Sequence, residues 1–158
     1  MRESREAGAA TRGTASFGPE RRIRKHADFQ RVQKAGRAVR TPHFVLVLDA
    51  RTPPLGPARL GIVATKKLGS APRRNRIKRL CRECFRLDRT WFPDGIDCVA
   101  IAKSGTHELS RVDVTREWDR VRGQIRRTCE EALERAKNAA AAVEMSEQAK
   151  HVPAGRRS

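Results

Sequence analysis

The chain has 158 residues, with 35 Lys and Arg against 18 Asp and Glu, for a formal charge of +17. Hydrophobic residues make up 38%, enough for one modest core. No run of about 18 apolar residues exists to cross a membrane. Residues 1–22 begin Arg2, Glu3, Arg5 and Glu6 with no apolar stretch behind them, so no secretory signal is expected. Rich in Gly, Ala, Ser, Thr and charge, this segment reads as a disordered basic tail. Residues 23–135 then carry the patterns of one folded domain. The Ala-rich, basic stretch 136–158 has little to bury and is expected to fray or be disordered.

Within the domain, His26–Lys34 spaces Ala27, Phe29 and Val32 among polar residues, a short helix ending near Gly36. His43–Asp49 is β-branched and apolar, a strand closed by the turn-rich segment 52–57. Ala58–Thr65 reads as a second strand, with Leu60, Ile62 and Ala64 on one face. Pro72 opens a helix where its missing N–H costs nothing, and the helix runs to about Leu87. Ile77, Leu80, Cys81, Cys84 and Leu87 gather on one side of it, with Phe85 at the margin. Ile96–Ala102 is a third buried strand. A last helix starts near Ser110 or Asp113 and spaces Val114, Trp118, Val121, Ile125 and Cys129 at helical intervals. The order αββαβα predicts an α+β fold, a two-layer α/β sandwich of helices on one small sheet.

Of the basic residues 27 are Arg, the side chain suited to bidentate phosphate recognition, and the pI of about 11.3 points to a nucleic-acid partner rather than a membrane. Cys81 and Cys84 form a CxxC, but they sit inside a helical pattern beside Ile77 and Leu80 and have no second pair for a zinc ribbon. They read, with Cys98 and Cys129, as small core hydrophobes in a reducing cytoplasmic compartment. His26, His43, His107 and His151 have no acid–base partner by spacing, and no clustered carboxylates suggest a two-metal nuclease site. No catalytic or metal-ligating residue is assigned.

The charge is concentrated in Lys66–Arg89, where ten cations face only Glu83 and Asp88. The helical wheel that buries Ile77 and Cys81 sends Asn75, Lys78, Arg79, Arg82 and Arg86 to the opposite side. Arg73 and Arg74 lie in the first turn, where cations oppose the helix dipole. Stability alone would not choose that arrangement; phosphate contact would.

The run KKLGSAPRRNRIKRLCRECFR, with its Arg74-Asn75-Arg76 triplet, Lys78-Arg79 and Arg82-Glu83, resembles the signature of the bacterial ribonuclease P protein component. HADFQRV, RLGIVATKKLGSA and IDCVAIAK resemble the family's first helix, the strand and loop before the signature, and its last strand. The resemblance covers about residues 23–130. It implies a ribosomal-protein-like sandwich with a left-handed crossover around the basic helix. It also implies the protein subunit of a ribonucleoprotein endoribonuclease whose catalytic RNA subunit removes the 5′ leader from precursor tRNA. Magnesium would be held mainly by the RNA subunit and the substrate. Carried over by position, the RNA-binding residues are Lys66, Lys67, Arg73, Arg74, Asn75, Arg76, Lys78, Arg79, Arg82 and Arg86. Phe29, Phe44 and Val47 would border a cleft for the leader. Gln33 and Val47 stand where the family often has aromatics, so shape and phosphate contact are expected to matter more than stacking. A ribosomal or other structural RNA-binding protein shares the charge but not the ordered signature; a DNA-binding module or a thiol oxidoreductase has weaker support.

Overall fold

A computed structural model describes residues 17–150. Its helices are α1 (His26–Ala35), α2 (Ala71–Leu87), α3 (Arg111–Arg120) and α4 (Arg122–Lys150), and its strands β1 (Arg37–Arg40), β2 (Phe44–Ala50), β3 (Arg59–Val63) and β4 (Ile96–Ala102). One four-stranded sheet has the order β1-β2-β4-β3. β2 is antiparallel to both β1 and β4, while β3 and β4 are parallel and joined by the α2 crossover.

Strand alternation divides the sheet into two unlike faces. Phe44, Leu46, Leu48, Leu60, Ile96, Cys98 and Ala100 point to the layer made by α2, α3 and α4, and meet Ile77, Cys81, Trp118, Ile125 and Cys129 there. Trp118 is edge-on to Phe44 and to Trp91, each at 5.6 Å between ring centroids. Fully burying a side chain of this size contributes about 1.5–3 kcal/mol, so this layer holds the domain together. The other face carries Val45, Val47, Val63, Val99 and Ile101, and is covered in part by Ile23, Phe29 and Val32.

Two glycines set that partial cover. At Gly36 a Cβ would lie 2.4 Å from the Val32 carbonyl oxygen and 2.8 Å from Val47 Cγ1, so a larger residue could not bring α1 directly into β1. At Gly61 a Cβ would fall 2.6 Å from Phe29 Cε1; its absence lets the Phe29 ring lie on β3.

Five features differ from the sequence reading. β1 was not foreseen: its Arg-Ala-Val-Arg sequence buries Val39 alone, the mark of a short edge strand. The last helix is two helices, broken at Val121; α3 starts with a reciprocal capping box between Ser110 and Asp113. α4 continues to Lys150 instead of fraying near residue 135, because Ala132 and Ala136 still bury and the residues beyond are good helix formers. Leu87, expected on the buried face, is 48% exposed at the last turn of α2. Of the tail expected over 1–22, residues 1–16 lie outside the described residues. Residues 17–22 are ordered: Phe17 packs edge-on against Phe85 at 5.6 Å, and Arg22 bridges to Leu60.

Candidate nucleic-acid interface

α2 is fixed by its apolar side and leaves its cations outward. Ile77, Cys81, Cys84 and Phe85 are buried, whereas Asn75, Lys78, Arg79 and Arg82 line a shallow groove with Glu83. Its first turn contains no acid and Ser70 makes no side-chain cap, so the orphan N–H groups there have no anionic side chain beside them. Lys66 and Lys67 are exposed on the 3-10 turn Lys66–Leu68 that leads into the helix.

The ten predicted cation and amide positions are not equivalent. Arg73 is exposed beside Gly69, whose φ of 121° forms the sharp entry to the helix. Arg74 is half-buried and its Nε has no hydrogen-bond partner. Arg76 is already engaged: its Nε donates to the His107 carbonyl at 3.0 Å and its Nη2 to the Leu109 carbonyl at 3.3 Å. Arg86 is paired with Glu83 at 2.8 Å, which lowers the pKa of that carboxyl. For Arg82, partial burial and the nearby charge of Arg22 both push the guanidinium pKa down, although it stays charged at neutral pH.

A second groove continues from α2 to α1. Arg22, Arg24, Lys78 and Arg82 stand around Phe29 and Gly61. Here the structure separates the three side chains predicted for the leader cleft. Phe29 is part-exposed in this groove. Val47 is on the same sheet face but 6% exposed, covered where α1 turns into β1. Phe44 is on the opposite face, fully buried against Trp118, and borders no cleft. What is part-exposed on this face instead is the cross-strand row Val45, Ile101 and Val63, with Arg40 exposed at its edge, set by the register of all four strands. Gln33 is exposed on α1.

Sequence reasoning missed Arg22 and Arg24, placed in the tail or at its edge, and Val45, Val63 and Ile101. Alternation within β2 could have suggested Val45, two residues from Val47; the rest needed the strand register. His43 does have an acidic partner, Glu117, at 2.7 Å but 74 residues away.

The four cysteines are free and buried. Burial pushes the Cys81 and Cys98 thiols well up and Cys129 to about 12, so they are thiols at neutral pH and the CxxC offers no reactive thiolate. Among the described residues, no cluster of three or more His, Cys, Asp or Glu is arranged to hold a metal ion, and no helix is long and apolar enough to cross a membrane.

Comparison with known proteins gives a consistent result. A family model described as Ribonuclease P matches residues 17–126. The chain is 44% identical over 107 residues to the ribonuclease P protein component of Syntrophobacter fumaroxidans, covering 67% of this chain and 88% of that protein. Against the Thermotoga maritima protein of the same name it is 40% identical over 101 residues, covering 63% and 85%. The solved Staphylococcus aureus RNase P protein superposes with a TM-score of 0.60 at 32% identity, over 69% of this chain and 97% of that one. For the RNase P protein from Thermotoga maritima the TM-score is 0.56 at 32% identity, over 63% and 93%.

Proposed function

Since the chain belongs to the ribonuclease P protein family, the protein cofactor of an RNA in an endoribonuclease that processes tRNA, we propose how this member divides that work over its surface. The outward face of α2, with the Lys66–Lys67 turn, docks on the phosphates of the RNA subunit. The groove of Arg22, Lys78, Arg82 and Phe29, with the part-exposed row Val45, Ile101 and Val63, takes the single-stranded 5′ leader of precursor tRNA in the cytoplasm. The domain that does this spans about residues 23–135, with the ordered strap from Phe17 completing the groove.

One observation carries this reading: Lys78, Arg79 and Arg82 lie along one helix face whose nearest acid, Glu83, is paired with Arg86. Cations held without counterions are free to neutralise RNA phosphates and so to release the ions condensed on them, which favours binding. Arg82 and Lys78 belong to both grooves, so the RNA subunit and the leader would be held side by side. The apolar row beneath the leader suits shape and base contact, and Phe29 offers a ring for one base. Magnesium would be held by the RNA subunit and the substrate rather than by side chains of this protein, and would supply Lewis-acid assistance to phosphodiester hydrolysis. The protein's own part is to gather phosphates and orient the leader.

Reconstitution of the protein with its cognate RNA at low magnesium should stimulate removal of the 5′ leader, and shortening the leader should reduce the gain. Equal stimulation with and without a leader would remove the cleft from the proposal. Absence of stimulation with folded components would remove the docking face as well.

A further inference from the structure

His43 was left without a role by the sequence, and nothing in the proposed grooves uses it. It precedes β2 at the end of the sheet that also carries the part-exposed row. Glu117 on α3 is buried, and its carboxylate accepts three hydrogen bonds: from Thr41 Oγ1 at 2.8 Å, from the His43 backbone N–H at 3.1 Å and from His43 Nδ1 at 2.7 Å. Among the described residues, His43 is the basic group within ion-pairing distance of this carboxylate. Lys103, at the same end of the sheet, donates its Nζ to the Thr41 carbonyl at 2.9 Å. The imidazole is therefore fixed by Nδ1, and its side chain remains 33% exposed. Nε2 is the nitrogen left over, lying along Gly105.

The ring is also tied to the basic helix by a short loop. The Lys103 backbone N–H donates to the His43 carbonyl at 2.8 Å, Thr106 Oγ1 donates to the Lys103 carbonyl at 2.6 Å, and the same loop gives its His107 and Leu109 carbonyls to Arg76. His43 thus stands at the same end of the sheet as Lys103 and the exposed Arg40, beside a loop that holds Arg76 and carries the exposed Glu108.

We propose that His43 is an RNA-phosphate contact that works when protonated: Glu117 holds Nδ1–H and orients the ring, and Nε2–H donates to a phosphate oxygen. The inference rests on the RNA-docking reading above and extends its interface beyond α2. The charged groups facing His43 are Glu117 and Asp113 on α3 and Lys103 after β4. The contact is present at low pH and is lost as pH rises and the imidazole gives up its second proton. Glu117 is the positioning residue, acting through His43.

The test measures affinity at about pH 6 and about pH 8 in two arms: the protein for its RNA subunit, and the assembled holoenzyme for precursor tRNA with and without a leader. Wild type should bind about two- to fivefold more weakly at the higher pH. His43→Gln should bind weakly at both values, and His43→Arg tightly at both. At the lower pH, His43→Gln should also reduce the slope of log affinity against log salt by about 0.7–0.9, the signature of one lost phosphate. Whichever arm shows the pattern identifies the phosphate's owner. If His43→Gln keeps the full pH dependence, or wild type has none, the assignment is overturned. If wild type shows no leader dependence while the RNA-subunit arm shows the His43 pattern, the leader cleft falls and His43 stands. Carbon and nitrogen NMR of the His43 ring checks the geometry independently, with Nε2 expected as the nitrogen that titrates and shifts on adding RNA.

Discussion

Arg31, Arg51 and Arg59 converge on one carboxylate, Asp97, which is fully buried. Lys78, Arg79 and Arg82, by contrast, share a helix face whose neighbouring carboxylate, Glu83, is paired with Arg86, and among the described residues they close no ion pair. Both regions are strongly basic, yet they do opposite things. At Asp97 the cations satisfy a charge the fold has buried: Arg59 reaches it through Nε at 2.8 Å and Nη2 at 2.7 Å, and Arg31 continues to Asp49 at 2.7 Å. On α2 the fold holds cations apart from their counterions and leaves them for a partner. A count of arginines cannot separate the two uses. The position of the nearest carboxylate can.

The largest expected effect comes from removing the anion of the compensated region. Asp97→Ala leaves three guanidinium groups facing one another at the end of the sheet and should cost about 3–5 kcal/mol of stability, read from urea unfolding. Burial works to raise the Asp97 carboxyl pKa. Hydrogen bonding from Arg59 and the charges of Arg51 and Arg59 more than offset this and hold it below the ordinary carboxylate value. The sign of the linkage follows. A depressed folded-state value gives stability that is present above the unfolded pKa and is lost as pH falls through the folded one. Wild type should lose stability on acidification below about pH 4, and the variant should show a shallower acid limb. A loss under about 1 kcal/mol would mean that the three arginines do not depend on Asp97.

The opposite result is expected on α2. Arg79→Ala and Lys78→Ala should leave stability within about 0.5 kcal/mol of wild type, since neither side chain closes an ion pair or fills the core. Each should weaken RNA binding and flatten the salt slope by about 0.7–0.9. A variant that changed stability but not the slope would move its residue from the second region to the first.

The α2 region was legible in the sequence because helical period and charge are both local. Ile77, Cys81 and Cys84 fix which side is buried, and the cations follow on the other. β2 and β4 were legible for the same reason, as short apolar β-branched runs. What could not be read were properties of pairing. Phe29 and Phe44 look alike in the chain, but the packing of α1 lays one on the outer sheet face beside the groove, while alternation in β2 sends the other to the core beside Trp118. Arg76 and Arg79 are both predicted RNA contacts, but the first is spent on two loop carbonyls 31 and 33 residues away. The His43–Glu117 pair spans 74 residues, a separation at which spacing carries no information. β1 has too few buried side chains to show an alternation at all.

Arg86 tests the distinction at its finest, because it lies on the α2 face but resembles the Asp97 arginines in having a carboxylate. Its Nε is 2.8 Å from Glu83, with side chains 30% and 42% exposed. An exposed i,i+3 pair of this kind is worth about 0.2–0.5 kcal/mol. Arg86→Ala should therefore cost little stability and, because Glu83 has already neutralised much of its charge, reduce the salt slope by less than Arg79→Ala does. Removing the acid instead should have the opposite effect on binding. Glu83→Gln frees the Arg86 guanidinium and takes a negative charge out of the groove that Lys78 and Arg82 line, so RNA affinity should rise slightly at low salt, with the difference vanishing as salt screens it. Equal slopes for Arg86→Ala and Arg79→Ala would show that a surface carboxylate does not withdraw an arginine from RNA, and that only a buried one, like Asp97, does.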